Sequence, residues 1–237
     1  MRTSTFRFKK FECSHGSGSM KIGVDAVLIA SWATVECART ILDVGTGCGV
    51  IALMCAQRNE SAMIEAIDVD EPSLIEASGN FTNSPWAGRL RVSHCDFNEL
   101  ADVSYDLIIS NPPYFDSGVS NPDTPRMIAR HQSGLSPAKI IEKGSGLLSP
   151  EGRIAMVVPS EQYEELCGVA GNCGLKMVRA AWVRGHPDAP VKRVLMEMST
   201  TREDLAASDI PVITLEISPG CPTDEHRELC RDFYLKF

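Results

Sequence analysis

No apolar run in this 237-residue chain approaches the roughly 18 to 20 residues that a membrane-spanning helix requires. Its opening stretch, MRTSTFRFKKFECSHG, lacks the unbroken apolar core of a secretion signal. Both absences lead us to expect a soluble, unexported, cytoplasmic protein. The nine cysteines include no pair with the two-residue spacing of a zinc knuckle or a redox dithiol, and their number is odd. Several sit among apolar neighbours, as Cys55 does in Leu53-Met54-Cys55-Ala56. Reduced, buried thiols are therefore expected, and no metal. Internal repeats, low-complexity stretches and a linker that would split the chain are missing too.

Net positive charge is also missing. The formal charge is −8, which argues against a nonspecific polyanion binder. That charge is unevenly spread. Residues 1–24 carry Arg2, Arg7, Lys9, Lys10 and Lys21 against Glu12, a local net of +4. Residues 176–193 carry Lys176, Arg179, Arg184, Lys192 and Arg193 against Asp188, again +4. Such strips on an acidic body permit a polyanionic partner at one face, or are simply solvated surface.

What is present is an ordinary globular balance, 43% hydrophobic and 23% charged, on a chain long enough to bury a full core. From residue 40, two patterns alternate. Short runs rich in Val and Ile predict strands at Thr40–Val44, Met63–Val69, Leu90–Ser93, Tyr105–Ser110, Arg153–Val158, Met177–Val183 and Arg193–Met198. Helices are predicted between them at Val50–Arg58, Pro72–Asn80, Pro137–Leu148 and Glu161–Ala170, the last capped by Ser160. The first five strands are apolar on both faces, which suits a parallel sheet covered on either side. The fold class is thus α/β, a doubly wound Rossmann-like sheet. The last two of these strands read as an antiparallel hairpin, and a further strand, Pro211–Ile217, and helix, Thr223–Phe233, finish the chain. Residues 1–39 are expected to form a basic segment and cap helix on a core of residues 40–237, as one domain.

The sharpest local signal is Asp43-Val44-Gly45-Thr46-Gly47-Cys48-Gly49-Val50. A strand ends, three glycines alternate and an apolar helix begins, the pattern of a loop that lets backbone approach a ligand. Asp43 precedes the first glycine. Asp68 ends the next strand, 23 residues after Gly45, where an acid accepts hydrogen bonds from ribose hydroxyls. A nicotinamide cofactor usually wants the third glycine one residue later, at Val50, and no anion at the loop mouth. S-adenosylmethionine is cationic at its amino and sulfonium groups and suits Asp43. A dinucleotide, or a tight turn without ligand, stays open. After the third strand, Asp96 either can meet the adenine amine of a nucleoside, with Phe97 able to cover its ring, or simply starts a loop.

The fourth strand runs directly into Asn111-Pro112-Pro113-Tyr114. Prolines fix φ and hold Asn111 extended, so the segment is stiff and its carbonyls face outward. The Asn111 side-chain carbonyl and the Pro112 backbone carbonyl can accept both hydrogens of one planar –NH₂ group, and Tyr114 can stack on the ring that carries it. Positioning is the main contribution such a site makes to a bimolecular transfer.

The loop and tetrad together resemble the S-adenosylmethionine-dependent amino-methyltransferases with a seven-stranded Rossmann-like fold, which methylate exocyclic amines of nucleobases or the amide of glutamine. Met20-Lys21-Ile22-Gly23-Val24-Asp25-Ala26-Val27-Leu28, Asn83-Ser84-Pro85-Trp86-Ala87, Ile108–Tyr114 and Asp232-Phe233-Tyr234-Leu235 resemble the bacterial tRNA(Val) (adenine(37)-N(6))-methyltransferase family over nearly the whole chain. That resemblance implies a methyl donor held by Gly45, Gly47 and Asp68, its adenine touched by Asp96, and a pocket lined from above by the segment with Lys21 and Asp25. Asn111, Pro112, Pro113 and Tyr114 would hold the target base. Arg126 and Arg130, with Arg184, Lys192 and Arg193, would meet phosphates of a tRNA anticodon stem-loop. No membrane and no obligate protein partner are implied. Competing readings are methylation of an rRNA or DNA base or of a protein glutamine, a non-catalytic module that holds the donor or RNA, and a dehydrogenase.

Overall fold

A computed structural model describes residues 4–16, 19, 21–113, 134–201 and 210–237. Its centre is an eight-stranded sheet. In chain order these strands are β3 (Thr40–Val44), β4 (Met63–Asp68), β5 (Leu90–His94), β6 (Tyr105–Ser110), β7 (Leu148–Pro159), β8 (Lys176–Arg184), β9 (Arg193–Ser199) and β10 (Val212–Thr214). Their spatial order is β5-β4-β3-β6-β7-β9-β8-β10. Strands β3 to β7 pair in parallel, and β9 inserts antiparallel between β7 and β8. The doubly wound sheet and its antiparallel hairpin follow the sequence pattern. The sheet gains one strand over the expected seven, because β10 adds in parallel to β8. The run that suggested Pro211–Ile217 divides there. Its second half, β11 (Glu216–Ser218), turns back onto β12 (Cys221–Pro222).

Period-two alternation explains how one sheet holds two cores. Leu42 and Val44 of β3 pack with Ile108, Ile154, Met156 and Met196 on one face. Ile41, Leu107, Ile109, Ala155 and Leu195 pack on the other. The second face is covered by α1 (Val24–Trp32), α2 (Val50–Arg58) and α3 (Glu71–Thr82), and the first by α4 (Pro137–Ser145) and α5 (Tyr163–Asn172). Helix α3 begins where Asp70 accepts the Ser73 N–H at 3.0 Å. Helix α4 begins likewise at Ser136, with Pro137 in its first turn. Ser160 does not cap α5. Its hydroxyl donates instead to the Val191 carbonyl (3.2 Å), and the chain enters α5 through a 3₁₀ turn, Ser160–Gln162.

The N-terminal residues form a hairpin, β1 (Ser4–Arg7) and β2 (Glu12–His15). It meets the far end of the chain after the last helix, α6 (Asp224–Cys230). Phe8 bridges to Tyr234, and the Lys9 ammonium donates to the carbonyls of Arg231 (2.6 Å) and Phe237 (2.8 Å). Asn80 of α3 ties the hairpin to the glycine loop. It accepts the Ser14 N–H and donates to the carbonyls of Ser14 and Cys48, each at 2.8 Å. All nine cysteines are free: Cys13, Cys48, Cys55 and Cys230 are buried, Cys95, Cys167 and Cys173 half-buried, and Cys37 and Cys221 exposed. No described helix is long and apolar enough to cross a membrane.

Candidate active site

Strand order reverses at β3. The chain winds outward through β4 and β5, then returns to place β6 on the other side of β3. The gap this leaves at the carboxyl edge is where open α/β sheets bind ligands. A cleft lies there, lined by Gly45, Asp68, Cys95, Asp96, Phe97, Asn111, Pro113 and Leu135 among others. Six residues singled out in the sequence for donor or target thus share one cavity.

The glycine loop is built from its own hydrogen bonds. Gly45, Gly47 and Gly49 all have positive φ, at 70°, 56° and 83°. The N–H groups of Gly45 and Thr46 donate to the Ile67 carbonyl at 2.9 and 3.0 Å. Gly47 donates to Asp68 Oδ2 at 2.9 Å, and Gly49 to the Thr46 carbonyl at 2.9 Å. A loop that cradles a pyrophosphate keeps such amides pointed at its ligand. Here four of them are spent inside the protein, and the wall presented to the cleft is carboxylate. That favours a ligand with hydroxyls and positive charge over a dinucleotide.

Asp68 is 5% exposed and lines the cleft. Its oxygens accept from the N–H groups of Gly47 and Asp70, which fixes the carboxylate and leaves further lone pairs for hydroxyl donors. Asp96 follows β5. Its Oδ1 accepts from the backbone N–H and side-chain amide of Asn98, at 2.9 and 2.8 Å. Phe97 is buried, and Asn111 and Pro113 are half-buried at the end of β6.

Asp43 departs from the expected place at the loop mouth. Period two turns it away from Leu42 and Val44, beneath the loop, and it is fully buried. Its Oδ2 accepts the Thr46 hydroxyl (2.6 Å) and the Ala52 N–H (3.2 Å), so it braces the loop against α2. Its Oδ1 has no partner among the described residues. Burial pushes its carboxyl up to about 7, against the pull of those two donors, and the nearby charge of Asp68 pushes the same way.

Of the remaining sequence candidates, those among the described residues are not in the cleft lining. Pro112 is buried, and Lys21 and Lys192 are exposed. Asp25 is paired with Arg193 at 3.1 Å. Arg184 is held by the Thr214 hydroxyl (2.9 Å) and the Pro187 carbonyl (2.8 Å). Tyr114, Arg126 and Arg130 lie outside the described residues. Two contributors escaped the sequence reading. Thr46 is one, and its place between two glycines, three residues after Asp43, was the available signal. Leu135 is the other. It lines the cleft, and its Cδ2 would sit 3.7 Å from a Cβ added at Gly45. Gly-Leu-Ser-Pro marks a helix start, which in such a sheet falls at the carboxyl edge.

Comparison with known proteins agrees with this geometry. The family model "Methyltransferase small domain" matches residues 19–167. The chain is 43% identical to a tRNA1(Val) (adenine(37)-N6)-methyltransferase of Parabacteroides distasonis over the full length of both chains. It is 37% identical to a protein of the same name from Bacteroides fragilis over 98% of each. Among solved structures, a predicted O-methyltransferase from Agrobacterium tumefaciens superposes with a TM-score of 0.68 at 19% identity, covering 88% of this chain and 96% of that one. That likeness shows the fold.

Proposed function

The chain belongs to the tRNA1(Val) (adenine(37)-N6)-methyltransferase family, and we propose that it methylates the exocyclic N6 amine of adenine 37 in a valine tRNA, in the cytoplasm, with S-adenosylmethionine as donor. The observation that carries this reading is the shared cleft, which Gly45, Asp68 and Asp96 line together with Asn111 and Pro113.

The donor would supply a methyl carbon on a sulfonium, already electrophilic. Asp68 would accept its ribose hydroxyls and Asp96 its adenine amine, while Phe97 and Leu135 would provide apolar cover. The Asn111 side-chain carbonyl and the Pro112 backbone carbonyl would accept the two hydrogens of the target amine. That pairing localises the nitrogen lone pair and directs it across the cleft, so the protein's contribution is alignment. No general base is needed before attack, because the methylated nitrogen is strongly acidic and loses its proton afterwards. A target base must turn out of its stack, at a cost of a few kcal/mol. Stacking on an aromatic ring returns about 1–3 kcal/mol per base, the role the motif assigns to Tyr114.

The test is incubation with labelled donor and either total tRNA or total protein, followed by nucleoside digestion and mass spectrometry. N6-methyladenosine in the valine tRNA is expected. Label confined to protein, or to another nucleoside, would overturn the proposal.

A further inference from the structure

The sequence pointed Asp25 toward the methyl donor and Arg193 toward RNA phosphate, yet the fold joins the two side chains to each other. Arg193 Nε lies 3.1 Å from Asp25 Oδ2, and the side chains are only 32% and 20% exposed. Arg193 also donates through Nη1 to the Lys192 carbonyl at 3.0 Å. Asp25 sits in the first turn of α1, where the helix dipole favours a carboxylate.

Both ends of this link matter. Arg193 opens β9, opposite Pro159 of β7. Strand β7 in turn pairs Met156 with Ser110 of β6. That pair is the last of the register, and β6 runs from it directly into Asn111-Pro112-Pro113. Arg193 therefore opens a strand two places from β6, the strand that leads into Asn-Pro-Pro, about 10 Å away at ordinary strand spacing. On the other side, the chain ahead of Asp25 reaches the donor loop. Ser19 donates its N–H to Glu76 of α3 at 2.8 Å, and its Cβ would lie 3.8 Å from a Cβ added at Gly47. The chain is thus fixed at the glycine loop through Ser19 and at β9 through Asp25, and residues 21–25 are the rim that the ion pair anchors.

We propose that Asp25 and Arg193 form a positioning pair that holds this rim across the carboxyl edge and so aligns donor and target amine, and that neither is a ligand of donor or phosphate. The proposal rests on the tRNA-methylation reading above. A phosphate ligand and a positioning pair differ in their salt dependence. Each lost phosphate contact lowers the slope of log affinity against log salt by about 0.7–0.9, whereas a charge already neutralised inside the protein lowers it by nothing.

The experiment uses the full chain and valine tRNA, with Asp25→Asn, Arg193→Gln and the double variant. Folding is checked by the thermal shift on adding S-adenosylhomocysteine. Each single variant is expected to lose about tenfold in kcat, a size typical of small misplacements. KM for the donor and the salt slope of tRNA binding should be unchanged, and the double variant no worse than either single. Arg193→Lys, which keeps the charge, should retain most of kcat. A salt slope reduced by about one in the double variant, multiplicative losses, a donor KM raised with kcat intact, or Arg193→Lys as impaired as Arg193→Gln would each overturn the pair. Wild-type protein that leaves tRNA unmethylated would overturn the underlying reading instead.

Discussion

Replacing Asp43 by Asn should flatten the pH dependence of stability. The carboxylate is fully buried beneath the glycine loop, one oxygen has no partner among the described residues, and its pKa rises from 3.8 to about 7. In the unfolded chain the group titrates near its ordinary value. Between about pH 4 and pH 7 the folded protein therefore holds a proton that the unfolded chain has released. Stability from this group is complete below the unfolded pKa and is lost as pH rises toward the folded one. Roughly three units at 1.36 kcal/mol each set a ceiling of about 4 kcal/mol. Relaxation around the charge should leave about 2 kcal/mol. An amide side chain can still accept from Thr46 and Ala52 but cannot ionise. It leaves the two N–H donors of its amide unsatisfied, a penalty of about 1–3 kcal/mol each that does not vary with pH. Urea unfolding of both proteins at pH 4.5, 6 and 7.5 isolates the varying part. The difference in unfolding free energy should move in favour of the Asp43→Asn variant by about 2 kcal/mol across that range. Parallel curves would refute a buried carboxyl titrating near neutrality.

Asn111→Ala should lower turnover at least about 100-fold, because one of two acceptors for the amine is lost; calorimetry should find donor affinity within about twofold, and an equal loss of affinity would contradict its role. Gly49→Ala should cost about 3 kcal/mol by thermal unfolding, since a Cβ there would overlap the Phe81 ring and the residue holds φ of 83°. Lys192, exposed beside the Arg193 pair, is the better candidate for a phosphate contact, and Lys192→Gln should lower the salt slope of tRNA binding by about 0.7–0.9.

The central strands were legible because β3, β6 and the second half of β7 are buried on both faces and bounded by Gly, Asn or Pro, whereas β5, expected to be covered on both faces, is an edge strand with Arg91 and His94 exposed. Thr40–Val44, Tyr105–Ser110 and Val50–Arg58 appear with the boundaries their residues suggest. The site was legible where chemistry and strand end coincide, as at Asp68, Asp96 and Asn111. It failed where side-chain direction decides. Asp43 was placed by neighbourhood, but its partners Thr46 and Ala52 lie below the loop. Asp25 and Arg193 are 168 residues apart, and no local pattern reports that they meet. The position of Ser160 suits a cap, but a tertiary partner, the Val191 carbonyl, takes its hydroxyl.

The clasp between hairpin and C-terminal residues bears on how the enzyme matures. Lys9 and Arg231 are separated by 222 positions. A ribosome adding about 5–20 residues per second needs about 10–45 s to cover them. Through that interval the β1–β2 ribbon lacks the aromatic bed on which it rests, and the strap that Asn80 makes from it to the glycine loop has nothing behind it. The nascent chain can thus assemble its central sheet early and still be unready to hold a methyl donor, acquiring competence only when its two extremities close on one another.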